Sequence, residues 1–291
     1  MRRRLRVARA VPIPVMVTVL AVGLVAGCSS SGSSPSASDP ASASASPSAT
    51  STSVSDGEAS SLPAFPAATA SPPTQTATSA TAEQKFIAAV FNDAQEEWAA
   101  IFSKAGKQYH PARLVLFSSA VQTGCGAESS EVGPFYCPAD QTVYLDLKFF
   151  QDMEQRYGVK GDFSQAYVVA HELGHHIQLI TGVTNQVAQL SQQHPAQANA
   201  LSIRVELQAD CYAGVWAHSA YTRDLLEPGD LDEALTAAAS VGDDFLQKQA
   251  TGSVQPEQWT HGSSAQRQKW LQTGYDKGEP SACDTFSASN P

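Results

Sequence analysis

The chain has 291 residues, 42% of them hydrophobic, so it is long enough for one or two domains with a proper core. Its formal net charge of −10 counts against nucleic acid as a partner and against a broad electrostatic contact with a membrane. Five cysteines and 16% charged residues exclude neither an exported domain nor an enzyme, and the order of the residues has to decide.

The first stretch reads as a leader. Arg2, Arg3, Arg4, Arg6 and Arg9 form a basic start, and residues 11–26 a short apolar run. Val25-Ala26-Gly27-Cys28 resembles the bacterial lipobox, in which the cysteine is acylated and becomes the mature N-terminus. That predicts a lipid anchor at Cys28 holding an exported protein on the outer face of the cell membrane. An uncleaved signal anchor is the alternative, although the run is short for a full span. Residues 28–82 are almost all Ser, Ala, Pro and Thr, a composition that cannot bury enough apolar surface to offset its ordering entropy. They read as a disordered tether or a glycosylated stalk. Residues 83–291 remain as one globular domain. With the five leader arginines gone, 13 basic residues face 28 acidic ones, a formal −15.

Within that domain, Ala82 to Ala105 places Phe86, Ile87, Val90, Phe91, Trp98, Ile101 and Phe102 at helical spacing. Arg113–Phe117 and Thr142–Leu147 read as strands, and Thr142–Leu147 is either a plain sheet strand or an edge to which an extended peptide could add. Phe149–Tyr157 predicts a short helix stopped by Gly158. A longer helix follows over 163–180, with Asp162 as N-cap, Gln165 in the capping-box position and Thr181-Gly182 as the stop. After a polar turn near Gln192–Pro195 a long helix spans about Ala196–Thr222. Gly229–Gln249 predicts one amphipathic helix with Leu231, Leu235, Ala238 and Phe245 inward. Thr260–Trp270 predicts a capped helix start, with His261 at the junction. Of the four domain cysteines, Cys125 and Cys137 flank one loop and are expected to bridge locally, which leaves Cys211 for Cys283. A cysteine zinc site is the competing use, but no C-x-x-C pair is present.

Two motifs carry chemistry. His171-Glu172-Leu173-Gly174-His175 sets two imidazoles one helical turn apart, with a carboxylate beside the first: the H-E-x-x-H pattern of zinc peptidases. The alternative is a pair of surface histidines, but this helix is apolar nearly all round and a buried histidine pair needs partners. His176 projects near the apolar face and reads as a core histidine rather than a ligand. Downstream, Glu206 and Asp210 stand four apart among apolar neighbours. Catalytic zinc takes three protein ligands, and Glu206 is the candidate third, with Asp210 holding a ligand histidine through its other ring nitrogen. The reverse assignment, or a plain pairing of both acids with Arg204 or Arg267, stays open.

With these pieces assembled, the chain resembles the bacterial neutral zinc metallopeptidase family of the YpfJ type. The matching runs are Gly133–Asp140, His171–Gln178, Val205–Trp216, Thr260–Arg267 and Cys283–Phe286, in order over nearly all of 83–287. The resemblance implies an α+β, zincin-like domain, mainly helical with a small sheet, that binds one Zn2+ through His171, His175 and Glu206, with Asp210 in support. It implies a peptide or protein substrate. The chemistry expected is hydrolysis in which zinc activates water and Glu172 acts as general base. His261, or more weakly Tyr212, would face the oxyanion; capping is the other role for His261. A zinc-bearing envelope scaffold that cleaves nothing, or a solute-capturing lipoprotein, are the alternative functions.

Overall fold

The computed structural model describes residues 81–129 and 132–291. The expected leader over 1–27, the acylated Cys28 and nearly all of the tether over 28–82 lie outside the described residues. The described part is mainly helical, with eight α-helices, one three-stranded sheet and one hairpin.

Helix α1 (Ala82–Lys104) forms because Ile87, Val90, Phe91, Ala94, Trp98 and Phe102 recur every three or four residues and all are buried. A Thr81–Gln84 capping box satisfies its first amides. Then come β1 (Arg113–Phe117), the hairpin β2 (Ala120–Thr123) and β3 (Gly126–Ser129), β4 (Phe135–Cys137) and β5 (Thr142–Asp146). The sheet order is β1-β5-β4. β1 runs parallel to β5 with Arg113 opposite Thr142, and β4 runs antiparallel to it with Phe135 opposite Tyr144.

Of the two readings of Thr142–Leu147, this order bears out the plain sheet strand and overturns the peptide-accepting edge. β5 is the central strand, buried at all five positions, so no peptide can add to it. Burial on both faces is what selects its continuous run of large side chains. Among the described strands, β4 is the one that ends the sheet beside the helix over Asp162–Ile180.

Helix α2 (Leu147–Tyr157) starts two residues before expectation because the Asp146 side chain accepts the Lys148 amide at 3.0 Å, and it stops at Gly158 as predicted. Helix α3 (Asp162–Ile180) lies at the centre, with 14 of its 19 residues buried, between α1, α5 and α6. The expected Asp162 cap and Gln165 capping box do not form. Gly161 is the N-cap, and the Glu233 carboxylate accepts the Phe163 amide across 70 positions of sequence. A side chain at 161 would collide with that carboxylate, which is why glycine stands there.

Helix α4 (Val183–Gln193) was not anticipated; none of its residues is buried, and Val183, Val187 and Leu190 are only half-buried. A short 3-10 turn then leads into α5 (Ala198–Thr222). The single helix expected over Gly229–Gln249 is two, α6 (Asp230–Ser240) and α7 (Asp243–Thr251). The break falls at Gly242, whose backbone lies so close to Ser264 that a Cβ would sit 2.4 Å from the Ser264 nitrogen. Helix α8 (Ser264–Lys277) opens with a Ser263–Gln266 capping box and crosses α5 at Gly214 and Gly274. Disulfides join Cys125 to Cys137 and Cys211 to Cys283, with Cα separations of 5.9 and 5.5 Å.

Candidate metal centre

Helical spacing places His171 and His175 on one side of α3, and α5 brings Glu206 opposite them. Gly174 allows this approach: a Cβ there would already lie 3.1 Å from the Ala209 backbone. His171 Nε2 stands 3.3 Å from Glu206 Oε2, and His175 Nε2 3.6 Å from Glu206 Oε1. The three side chains offer donor atoms within 4.8 Å of one another and could hold a metal ion. Ligands of a tetrahedral zinc at 2.0–2.1 Å are about 3.3 Å apart, so the spacing suits that ion.

The other ring nitrogens decide the chemistry of the donor set. His171 Nδ1 is 2.8 Å from Asp210 Oδ1, and His175 Nδ1 is 2.9 Å from Gln178 Oε1. Those oxygens only accept, so each Nδ1–H donates and each Nε2 is left to face the Glu206 carboxylate. Two ring nitrogens gathered on one carboxylate call for positive charge between them, a proton or a metal ion. The residues present therefore fit a divalent ion.

Asp210 is fully engaged. Its Oδ1 also accepts from Tyr167 Oη at 2.6 Å and Arg267 Nη2 at 2.9 Å, and its Oδ2 accepts from Arg267 Nε at 2.9 Å. Burial alone would raise its pKa, but Arg267 and His171 outweigh burial and hold the acid below its ordinary value. Burial likewise opposes the charged form of Glu206, and His175, His171 and Arg267 overcome it. For His171, burial disfavours the cation, yet Asp210 and Glu206 push the ring up to about 9. Two carboxylates thus draw positive charge to this point, as a proton or as a metal. Glu172 behaves differently: burial pushes its carboxyl up, and the neighbouring imidazoles only partly offset that.

The model of a family described as "Putative neutral zinc metallopeptidase" matches residues 51–286, well over half of the chain and all the residues above. The chain belongs to this family. Its match begins inside the stretch read as a tether. "Uncharacterized protein YpfJ" of Escherichia coli is 50% identical over 206 residues, 70% of this chain and 72% of that protein. "Uncharacterized protein Rv2575" of Mycobacterium tuberculosis is 51% identical over 193 residues, 62% of this chain and 64% of that protein. No solved structure matches.

In this member of the zinc metallopeptidase family the centre opens into a cleft of about 540 Å³, with Glu172 on its wall. His261 also lines the cleft, and its side chain is half exposed. Its Nδ1 faces Asp243 Oδ1 at 3.3 Å, and Asp243 Oδ2 accepts the amides of Thr260, His261 and Gly262 at 2.7–3.0 Å. The Asp243 hydrogen bond raises the His261 pKa, against a smaller effect of burial. Tyr212 is not at the cleft. It packs edge-on to Trp98 at 5.1 Å, and burial pushes its hydroxyl up to about 12, so it serves the core and not an oxyanion. His176 is fully buried and outside the metal-capable group.

Sequence reasoning missed Gln178, Tyr167 and Asp243 as partners of the site, and met Arg267 only as a rival for its acids. Gln178 left a signal, standing three residues after His175 and so on the same helix face. Its amide donates to Val205 O at 2.7 Å and Gln208 Oε1 at 3.1 Å, which ties α3 to α5 beside the ligand. Arg267 is bidentate on Asp210 and lies against the His171 ring, 3.4 and 3.5 Å from its nitrogens. Asp243 left none, because its role depends on a loop 17 to 19 residues away.

Proposed function

We propose that this protein is a zinc-dependent peptidase, with Zn2+ held by His171, His175 and Glu206 and with Glu172 as general base. The observation that carries this reading is the pair of imidazole Nε2 atoms turned toward one carboxylate, 3.3 and 3.6 Å away, with the buried Glu172 next to them on an open cleft. When bound, zinc supplies Lewis acidity: it lowers the pKa of a coordinated water and polarises a carbonyl.

The chain's own residues do the rest. Asp210 and Gln178 fix the ring orientation and tautomer of the two histidines. Glu172, its affinity for a proton raised by burial, takes the proton of the attacking water and delivers it to the leaving amine. His261, held by Asp243 through Nδ1, donates from Nε2 toward the carbonyl oxygen as negative charge develops there. An extended peptide lies along the outer edge of β4. Asp210 supports and does not bind the metal, since Arg267, Tyr167 and His171 already occupy its oxygens.

The leader and the Val25–Cys28 run support export and a lipid anchor at Cys28, with 28–82 as tether and 83–291 as the catalytic domain. That arrangement would set the cleft to work on peptides or proteins outside the cell membrane. Cleavage of a mixed peptide library by the zinc-loaded full chain tests the activity. Glu172→Gln should keep its zinc and lose cleavage by roughly 100-fold or more, the scale of a lost general base. Equal cleavage by the two proteins would exclude Glu172 as the base, and no cleavage by either would favour a zinc-bearing scaffold.

A further inference from the structure

His175 is followed directly by a third imidazole that lies outside the metal-capable group. His176 is fully buried, with Nε2 2.6 Å from the carbonyl oxygen of His110 and Nδ1 2.9 Å from Tyr136 Oη. A carbonyl only accepts, so the proton is on Nε2, and Nδ1 is left as an acceptor. The Tyr136 hydroxyl must then donate to it.

This bond joins the metal helix to β4. Side chains alternate along a strand, and β4 is gripped from both faces. On one face Phe135 stacks on Tyr144 at 5.0 Å and Cys137 is bonded to Cys125. On the other, Tyr136 reaches α3 through His176. The same stretch lines the cleft with Val132, Pro134, Phe135, Tyr136 and Pro138, joined by Phe149 of α2, and none of them is charged. The charged carboxylates and guanidinium of the cleft, Glu172, Glu206 and Arg267, belong to the metal centre. A charged substrate side chain on this wall would lose its hydration and gain no partner, whereas a large apolar one gains by burial.

We propose that His176 is a positioning residue for substrate, fixing β4 through Tyr136 so that its wall selects peptides with a large apolar side chain. The proposal rests on the peptidase reading for its substrate class. It is tested by binding, on the zinc-loaded full chain carrying Glu172→Gln, with a fluorescein-labelled octapeptide bearing a central Phe or a central Asp. Fluorescence anisotropy should show the Phe peptide bound at least about tenfold more tightly.

Adding Tyr136→Phe, which keeps the ring and removes only the donor, should weaken the Phe peptide about five- to tenfold. It should leave zinc content unchanged. His176→Leu should do the same, the double variant should be no worse, and His176→Asn, which retains an acceptor toward Tyr136, should restore binding. With Glu172 restored, these changes should raise KM and leave kcat within about twofold. Unaltered Phe-peptide binding in Tyr136→Phe, no preference for Phe over Asp, or zinc lost together with the Tyr136 hydroxyl would each overturn the proposal. A protein that binds zinc and prefers the Phe peptide yet cleaves nothing would remove the peptidase reading and leave the role of His176 standing.

Discussion

Each residue at the centre is defined by which of its atoms is already committed. His171 and His175 have their Nδ1 atoms engaged by Asp210 and Gln178, so only Nε2 remains for an ion. Asp210 has donors on both oxygens, whereas Glu206 meets the two Nε2 atoms. The division of labour between the acids follows from that. His261 is the residue whose protonation the structure biases in an accessible place, since Asp243 raises its pKa. If its donor form is needed, activity is present below that raised pKa and fades as pH rises through it. Asp243→Asn removes the charge that favours the imidazolium, so the alkaline limb of the kcat/KM profile should move to lower pH. An unmoved limb would assign His261 to holding its loop and nothing more.

At the scale of elements, the site exists because three helices come unusually close. Gly174 brings α3 to α5, and Gly214 and Gly274 let α5 and α8 touch backbone to backbone. A Cβ at 274 would overlap the carbonyl oxygen of Cys211, one residue from Asp210, and no rotamer change relieves a clash with backbone. Gly274→Ala should therefore cost about 1–3 kcal/mol or more, as overpacking does. Urea unfolding checks it; a loss below a few tenths would show that the crossing is looser than the structure has it. Because Arg267 on α8 grips Asp210 on α5, the same variant should also weaken the metal site.

At the scale of the whole molecule, the described residues are stapled at two places with different consequences. Cys211–Cys283 closes a loop of 72 residues and pins the C-terminal segment to the core, while Cys125–Cys137 closes only 12 beside the cleft. Removing the first, as Cys283→Ser, should cost about 2–5 kcal/mol. Removing the second as Cys125→Ser should cost less and show itself mainly in peptide binding. Thermal unfolding of the two variants compares them, and equal losses would mean that loop length does not set the cost.

What was legible in the sequence was whatever a single segment decides. The HExxH pair, the Glu206/Asp210 spacing, β1 and the Gly158 stop all follow from local periodicity or turn chemistry. What was not legible depends on distant partners: the Glu233 cap on α3, the Gly242 break against Ser264, the Asp243 grip on the His261 loop, and β5 as a central strand.

The most direct test of the centre is zinc stoichiometry of the purified full chain, compared with two variants. The account predicts one zinc per chain, almost none in Glu206→Ala, and one bound with roughly 10–100-fold weaker affinity in Asp210→Ala. A wild-type chain that takes up no zinc, or a Glu206→Ala chain that holds it as tightly as wild type, would contradict it.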